Sequence, residues 1–334
     1  MKQRRAQFAV AIVFAVHGAV SGNFATRVPW IAERLDLGAG ALGLALLSPA
    51  LGSIVAMPLA SKLVYKYGGR PVTQAAITTY AGALALPALM PSLASLCAAL
   101  FVFGLASGSA DAAMKAQGTS LERMAQRPIL SRLHGMWSVG TLTGAGIGTA
   151  ATFGNVDARL HLALIAVALL VLGNAAGVRL PRPHHFPAEE SAPAKFAMPS
   201  RALVGIAVVG FCAAFAEAVA HTWSAVYIAD ITGGSAGTAS LGFVVFVACM
   251  AVSRLAGDSV VRRLGPVRTV RVGGLVATVG AAFVVTATEP SAALLGFAVF
   301  GLGVAVVAPV ALSAAARVGV NGGLGITTVT MIGY

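Results

Sequence analysis

Charge is what this chain has least of. Only 10% of its 334 residues are charged, against 57% hydrophobic, and a soluble chain of this length carries about 25% charged residues to wet its surface. The shortfall excludes a water-soluble fold and leaves lipid as the medium that most of the surface meets. Aromatic residues are also few, at 7%, while glycine alone numbers 39. Helices that approach one another through small residues fit that composition better than a core built around large rings. The apolar runs do not alternate with polar residues, which argues against a membrane β-barrel. Three cysteines, Cys97, Cys212 and Cys249, fall inside apolar runs and read as small buried hydrophobes, with neither a disulfide framework nor a metal-ligand spacing. There is no glycine-rich phosphate loop with its Lys-Ser pair, no paired metal ligands, and no Ser/His/Asp set outside the apolar runs. The expectation is therefore a protein that is not an enzyme and needs no cofactor and no metal.

What is present is a net charge of +12, and its placement matters more than its size. The basic residues sit in short clusters between long apolar runs, without the basic, aromatic-interleaved stripe that tracks a phosphate backbone, so nucleic acid is not an expected partner. The opening Met-Lys-Gln-Arg-Arg followed by an apolar run from Phe8 resembles a signal peptide, but the run is too long for one and reads as a first span. A bilayer core of about 30 Å needs roughly 20 apolar residues per helix. Ten segments qualify: Phe8–Val28, Ala41–Ser61, Val72–Met90, Leu93–Met114, His134–Phe153, Leu160–Val178, Ala202–Ile228, Ala239–Leu255, Val270–Thr286 and Ser291–Ala314. With the N-terminus in the cytoplasm, 20 basic residues fall on the inner side, and only Arg27, Arg34 and Arg159 fall on the outer. That asymmetry is the topology signal of an inner-membrane protein.

Residues 181–200 carry Pro181, Pro183, Pro187, Pro193 and Pro199, a density that no helix tolerates, so they read as a cytoplasmic linker. The expected organisation is a six-helix half over 1–180, that linker, and an incomplete half over 201–334 with four helices and a stub. The halves repeat: Val102-Phe103-Gly104-Leu105 recurs as Val299-Phe300-Gly301-Leu302 at an offset of 197, and the same offset carries Gly68 onto Gly265. Internal repeats of this kind build many secondary transporters, with the substrate site between the halves. After Arg317, Asn321–Tyr334 is too short to cross. The expectation is an all-α membrane bundle with ten complete spans and a partial eleventh, truncated from twelve.

Several stretches carry a family likeness: Ala25-Thr26-Arg27-Val28-Pro29, Ala110-Asp111-Ala112-Ala113-Met114, Leu133-His134-Gly135-Met136-Trp137-Ser138-Val139-Gly140, and Glu217 followed by Trp223-Ser224-Ala225-Val226-Tyr227. Met250, Arg254 and Gly257-Asp258 add to them. The pattern resembles the major facilitator superfamily, and within it the bacterial branch similar to fucose:proton symporters. The superfamily's loop signature after the second span survives as Tyr65-Lys66-Tyr67-Gly68-Gly69-Arg70 without its acid, while Asp258 and Arg262 keep charge in a different order in the second half. The related branch tends to have Asn where Lys115 stands and Asp where Thr222 stands. The fifth span lacks the proline that marks many drug:proton antiporters.

Ionisable groups within spans cost about 2.5–3.5 kcal/mol each on insertion scales. Nine of the eleven acids lie at span ends or in loops, which leaves Asp111 and Glu217 as the proton-coupling candidates. Asp111 shares a face with Ser107 and Lys115 and is either a cavity site or an interfacial pair with Lys115. Glu217 sits mid-span, one turn from His221 and two from Ser224, where a carboxyl can take a proton from one side and release it to the other. His17, Asn23, Arg27, His221 and Trp223 are the substrate-cavity candidates. His17 either meets solute or bonds a neighbouring helix, Arg27 either snorkels or closes an outer gate, and Trp223 either stacks on a sugar ring or anchors at the interface. Lys66, Arg70, His134, Arg254, Asp258 and Arg262 are the cytoplasmic loop and gate candidates. The expected function is proton-coupled symport of a small polar solute such as a sugar, by alternating access in a monomer. Efflux of amphipathic or cationic compounds, or a non-transporting remnant, are the alternatives.

Overall fold

A computed structural model describes residues 2–125, 129–180 and 201–318. The chain is helical throughout them and divides into two compact units, Met1–Pro187 and Ala188–Tyr334. The first holds α1 (Lys2–Ala25), α2 (Val28–Arg34), α3 (Ala39–Tyr67), α4 (Gly69–Ala83), α5 (Leu86–Leu89), α6 (Leu93–Ala125), α7 (Leu130–Phe153) and α8 (Ala158–Gly177). The second holds α9 (Arg201–Asp230), α10 (Ala236–Leu264), α11 (Pro266–Thr286), α12 (Pro290–Val304) and α13 (Val307–Val318).

Prolines set several boundaries. Pro29 has no N–H to offer the Ala25 carbonyl, so α1 stops there and the chain resumes as the short α2 with Pro29 in its first turn. Pro309 does the same to the Ala305 carbonyl and separates α12 from α13. Glycines set others. Gly68 ends α3 with φ 87° and ψ 155°, and Gly265 ends α10 with φ 77° and ψ 161°, a region essentially closed to L side chains. The two turns share one conformation at the offset of 197 that the sequence repeat shows. A second pair obeys the same offset: a Cβ on Gly104 would strike the Pro49 carbonyl oxygen of α3, and one on Gly301 would strike the Phe246 carbonyl oxygen of α10. The repeat is thus a repeat of close helix contacts, not of letters alone.

In the first unit α1 packs most extensively on α7, and α3 on α6. The core of this unit holds Val10, Val13 and Phe14 of α1, Ile77 and Tyr80 of α4, Leu84 just after it and Leu162 of α8, all at most 1% exposed. Leu44, Leu51, Leu164 and Val171 point outward, as expected of a surface that meets lipid chains. In the second unit α12 packs on α10 and α11, and Phe243, Phe246 and Met250 are buried.

The expected count of spans requires correction. Among the described residues nine helices are long and apolar enough to cross a membrane, not ten complete spans with a partial eleventh of twelve. The segment that falls short is His134–Phe153. It forms a helix, α7, but Gly140, Thr141, Gly144, Gly148 and Thr149 dilute its hydropathy. The structure shows why they are there. A Cβ on Gly140 would collide with the Ala15 carbonyl, one on Gly144 with the Ala19 carbonyl, and one on Gly148 with the Thr26 hydroxyl, while Gly18 and Gly22 of α1 abut the Trp137 and Thr141 carbonyls in return. Close backbone approach, rather than a large apolar surface, is what this helix supplies. The linker 181–200 and the expected stub Asn321–Tyr334 lie outside the described residues.

Candidate functional site

Glu217 lies midway along α9, and the helical repeat stacks His221 and Ser224 on the same stripe. Across from it α10 presents Arg254, whose Nη2 donates to both carboxylate oxygens of Glu217, at 2.9 and 2.8 Å. The two side chains keep 20% and 30% exposure, and His221 Nε2 lies 3.8 Å from Glu217. The His221 ring is held edge-on between Phe243 and Phe246, with ring centroids 5.3 Å from each. The Nε of Arg254 reaches toward the Ala305 carbonyl at 3.5 Å, the carbonyl that Pro309 leaves without a helical partner. The Ser224 hydroxyl is fully buried and has no partner among the described residues. Trp223 is half-buried and sits one residue off the stripe.

Asp111 accepts from Lys115 Nζ at 2.7 Å one turn along α6, with side chains 18% and 39% exposed. One turn the other way, the Ser107 carbonyl accepts from His17 Nε2 at 3.3 Å. The other nitrogen, Nδ1, accepts from the Trp137 indole N–H at 3.0 Å. An indole nitrogen can only donate, so Nδ1 carries no proton and the imidazole is the neutral Nε2–H tautomer. His17 thereby ties α1 to α6 and α7 with both nitrogens. Its ring also stacks obliquely on Tyr80 at 4.7 Å, and the Tyr80 hydroxyl meets Ser21 Oγ at 2.9 Å.

Arg27 and Asn23 belong to a second buried network. Arg27 Nε donates to His161 Nδ1 at 3.1 Å, and Nη2 donates to the Val156 carbonyl at 3.1 Å. His161 Nε2 meets Asn23 Oδ1 at 3.1 Å, and Asn23 Nδ2 donates to the Ala19 carbonyl at 2.8 Å. Arg27, Asn23 and His161 are 3%, 1% and 5% exposed.

The loop candidates are scattered. Arg70 Nη2 donates to the Val178 carbonyl at the end of α8, at 2.7 Å, and Lys66 Nζ lies over the Tyr67 ring at 5.0 Å. His134 is exposed, edge-on to Phe14. Arg262 donates to Ser259 Oγ at 2.9 Å in the last turn of α10. Asp258 lies in α10, and its side chain is outside the described residues. Arg254, grouped with these loop and gate residues from the sequence, is the partner of Glu217. His161 and Trp137 were not singled out from the sequence. A signal existed for both: the polar groups of α1 at His17, Asn23 and Arg27 needed buried partners, and few polar side chains elsewhere in the spans can serve.

Among the described residues no group of three or more His, Cys, Asp or Glu gathers as metal ligands. What the Glu217–Arg254 pair can do is register a proton. The paired state carries no net charge; protonating Glu217 cancels its charge, weakens the pair and leaves Arg254 with an excess positive charge between α9 and α10.

The chain matches the Major Facilitator Superfamily model over residues 10–333. It is 32% identical over 333 residues to an MFS-type transporter of Yersinia pestis, covering 98% of this chain and 85% of that one. It is 30% identical over 328 residues to the transporter y4wD of Sinorhizobium fredii, covering 97% and 86%. Its fold is similar to that of a variant of the nucleoside transporter NupG, with a TM-score of 0.79 at 11% identity, covering 98% and 87%. These likenesses run across several branches of the superfamily and do not single out the fucose:proton symporters. The relatives are bacterial, which supports an inner-membrane location. A multi-pass helical fold and a family match over nearly its whole length make this chain a member of the Major Facilitator Superfamily, a secondary-active membrane transporter and not an enzyme.

Proposed function

We propose that the protein moves a small polar solute, a sugar first among candidates, in symport with protons by alternating access, and that Glu217 is the group that binds the coupled proton. The observation that carries this reading is the ion pair between Glu217 and Arg254. An acid and a base within spans are costly and are retained where they serve a pathway. Here a proton arriving at Glu217 and Arg254 compete for one carboxylate. Protonation would free Arg254 for the Ala305 carbonyl or for a hydroxyl of the solute, so that proton and solute favour the same rearrangement. Asp111, already matched by Lys115, is the second candidate for proton coupling. The excess of basic residues in loops such as Lys62–Arg70 supports a cytoplasmic N-terminus. His17, Asn23 and Arg27 have their polar atoms engaged between helices, which leaves His221, Trp223 and the buried Ser224 hydroxyl as the better candidates for solute contact. The reading is tested by adding a panel of sugars and other polar solutes to de-energised cells that make the protein. Solute-dependent alkalinisation of the medium is expected with at least one solute, and no alkalinisation with any of them contradicts symport.

A further inference from the structure

The first unit carries a groove of about 670 Å³ between α3, α4 and α6, lined by Leu63, Tyr67, Pro71, Ala75, Thr79 and Val102 among others. It is large enough for a chain-like ligand, within the roughly 300–1,000 Å³ span of small-molecule sites. Its wall is apolar. Of the hydroxyls in that lining, Thr79 Oγ1 is turned back onto the Ala75 carbonyl at 2.9 Å, and the Tyr67 phenol sits at the end of α3. The groove is open at the side, with Tyr67 58% and Val102 43% exposed, which gives a lipid chain a way in.

One end of the groove is basic. Lys62, Lys66 and Arg70 adjoin the lining residues Leu63, Tyr67 and Pro71 in sequence. Lys66 lies over the Tyr67 ring and Arg70 donates to the Val178 carbonyl, both neutral partners. No carboxylate among the described residues pairs with any of the three. The loop between the second and third spans lacks the acid that the family likeness implies there, and among the described residues no carboxylate balances its positive charges. An apolar trough ending in unbalanced positive charge is complementary to an amphiphile with an anionic head. A free phosphate would leave the trough unexplained, and a neutral lipid would leave the charges unexplained.

We propose that this groove holds one acyl chain of an anionic phospholipid whose phosphate rests against Lys62 and Lys66, as basic sites between membrane helices hold anionic headgroups. The occupied groove joins α3, α4 and α6 on the side where the loop turns at Gly68.

The test is native mass spectrometry of the full chain in neutral detergent, with phosphatidylglycerol and phosphatidylcholine of the same acyl chains added in turn. The wild-type chain is expected to retain phosphatidylglycerol in preference. Lys62→Gln and Lys66→Gln should each lower that retention about fivefold without changing retention of phosphatidylcholine. Ala75→Phe fills the trough from an exposed position and should lower retention of both lipids. Lys62→Arg with Lys66→Arg should keep the preference, which separates loss of charge from loss of fold. Equal retention of the two lipids by the wild-type chain overturns the proposal. So does displacement of phosphatidylglycerol by inorganic phosphate alone, which would mark a headgroup site with no seat for a chain.

Discussion

A single guanidinium nitrogen of Arg254 serves both carboxylate oxygens of Glu217, at 2.9 and 2.8 Å, across two helices of the second unit. Each group alone would be an unbalanced charge within a span. Together they form a neutral unit whose balance one proton upsets. The Ala305 carbonyl, freed by Pro309, gives Arg254 a second acceptor 3.5 Å from its Nε, so the side chain has somewhere to go when the carboxylate is neutralised.

Breaking the pair from one side should cost more than removing it whole. Arg254→Gln leaves Glu217 without its counter-charge, and because both side chains keep partial exposure the loss is about 1–2 kcal/mol, at the low end for such pairs. Glu217→Gln with Arg254→Gln replaces charge by an amide pair and should recover most of it. Thermal melting in detergent of both single variants and the double variant checks this by a double-mutant cycle. Additive losses would mean that the two groups do not interact.

His17 is expected to act as a tie between helices. Trp137→Phe removes the donor to His17 Nδ1 and strands a buried acceptor, lowering stability by about 1 kcal/mol. His17→Phe with Trp137→Phe removes both needs at once and should melt closer to the wild type. The check is melting temperature alongside the Michaelis constant for the solute. A large rise in that constant with unchanged melting would show that His17 contacts solute instead.

Two glycines of α7, six residues apart, should respond in opposite ways to the same change. Gly140→Ala drives a Cβ into the Ala15 carbonyl of α1, whereas nothing lies within 4 Å of a Cβ on Gly146. The first should lose roughly 1–3 kcal/mol through forced backbone movement. The second should be neutral or gain up to about 1 kcal/mol from the better helix propensity of alanine. Melting of the two variants, prepared alike, distinguishes them, and equal behaviour would refute the packing of α1 on α7.

Much of the fold was legible because lipid imposes a simple rule: runs of about 20 apolar residues become helices. The rule reads surface, however, and α7 has little apolar surface to read. Its glycines and threonines are spent on approach to α1, so the segment His134–Phe153 looked like a span and is a helix, yet falls below the apolarity of the nine that qualify. The two turns at Gly68 and Gly265 were visible as a repeat because only glycine adopts their backbone angles. Side-chain partnerships were not. Spacing along α9 placed Glu217, His221 and Ser224 on one stripe, but nothing in the sequence says which residue of α10 faces it. Arg254 therefore reads from the sequence as a loop and gate candidate, with nothing to pair it with Glu217. The same holds for His161, which completes the Arg27–Asn23 network from 134 residues away.

The most direct test of the account is transport by Glu217→Gln in proteoliposomes, with the solute identified by medium alkalinisation. Glutamine keeps the size of the side chain and a carbonyl for Arg254 but cannot exchange a proton. The variant is expected to lose accumulation driven by a proton gradient and to keep solute counterflow, because exchange requires no net proton movement. Accumulation at the wild-type level under the same gradient would contradict the assignment of Glu217 as the coupling group.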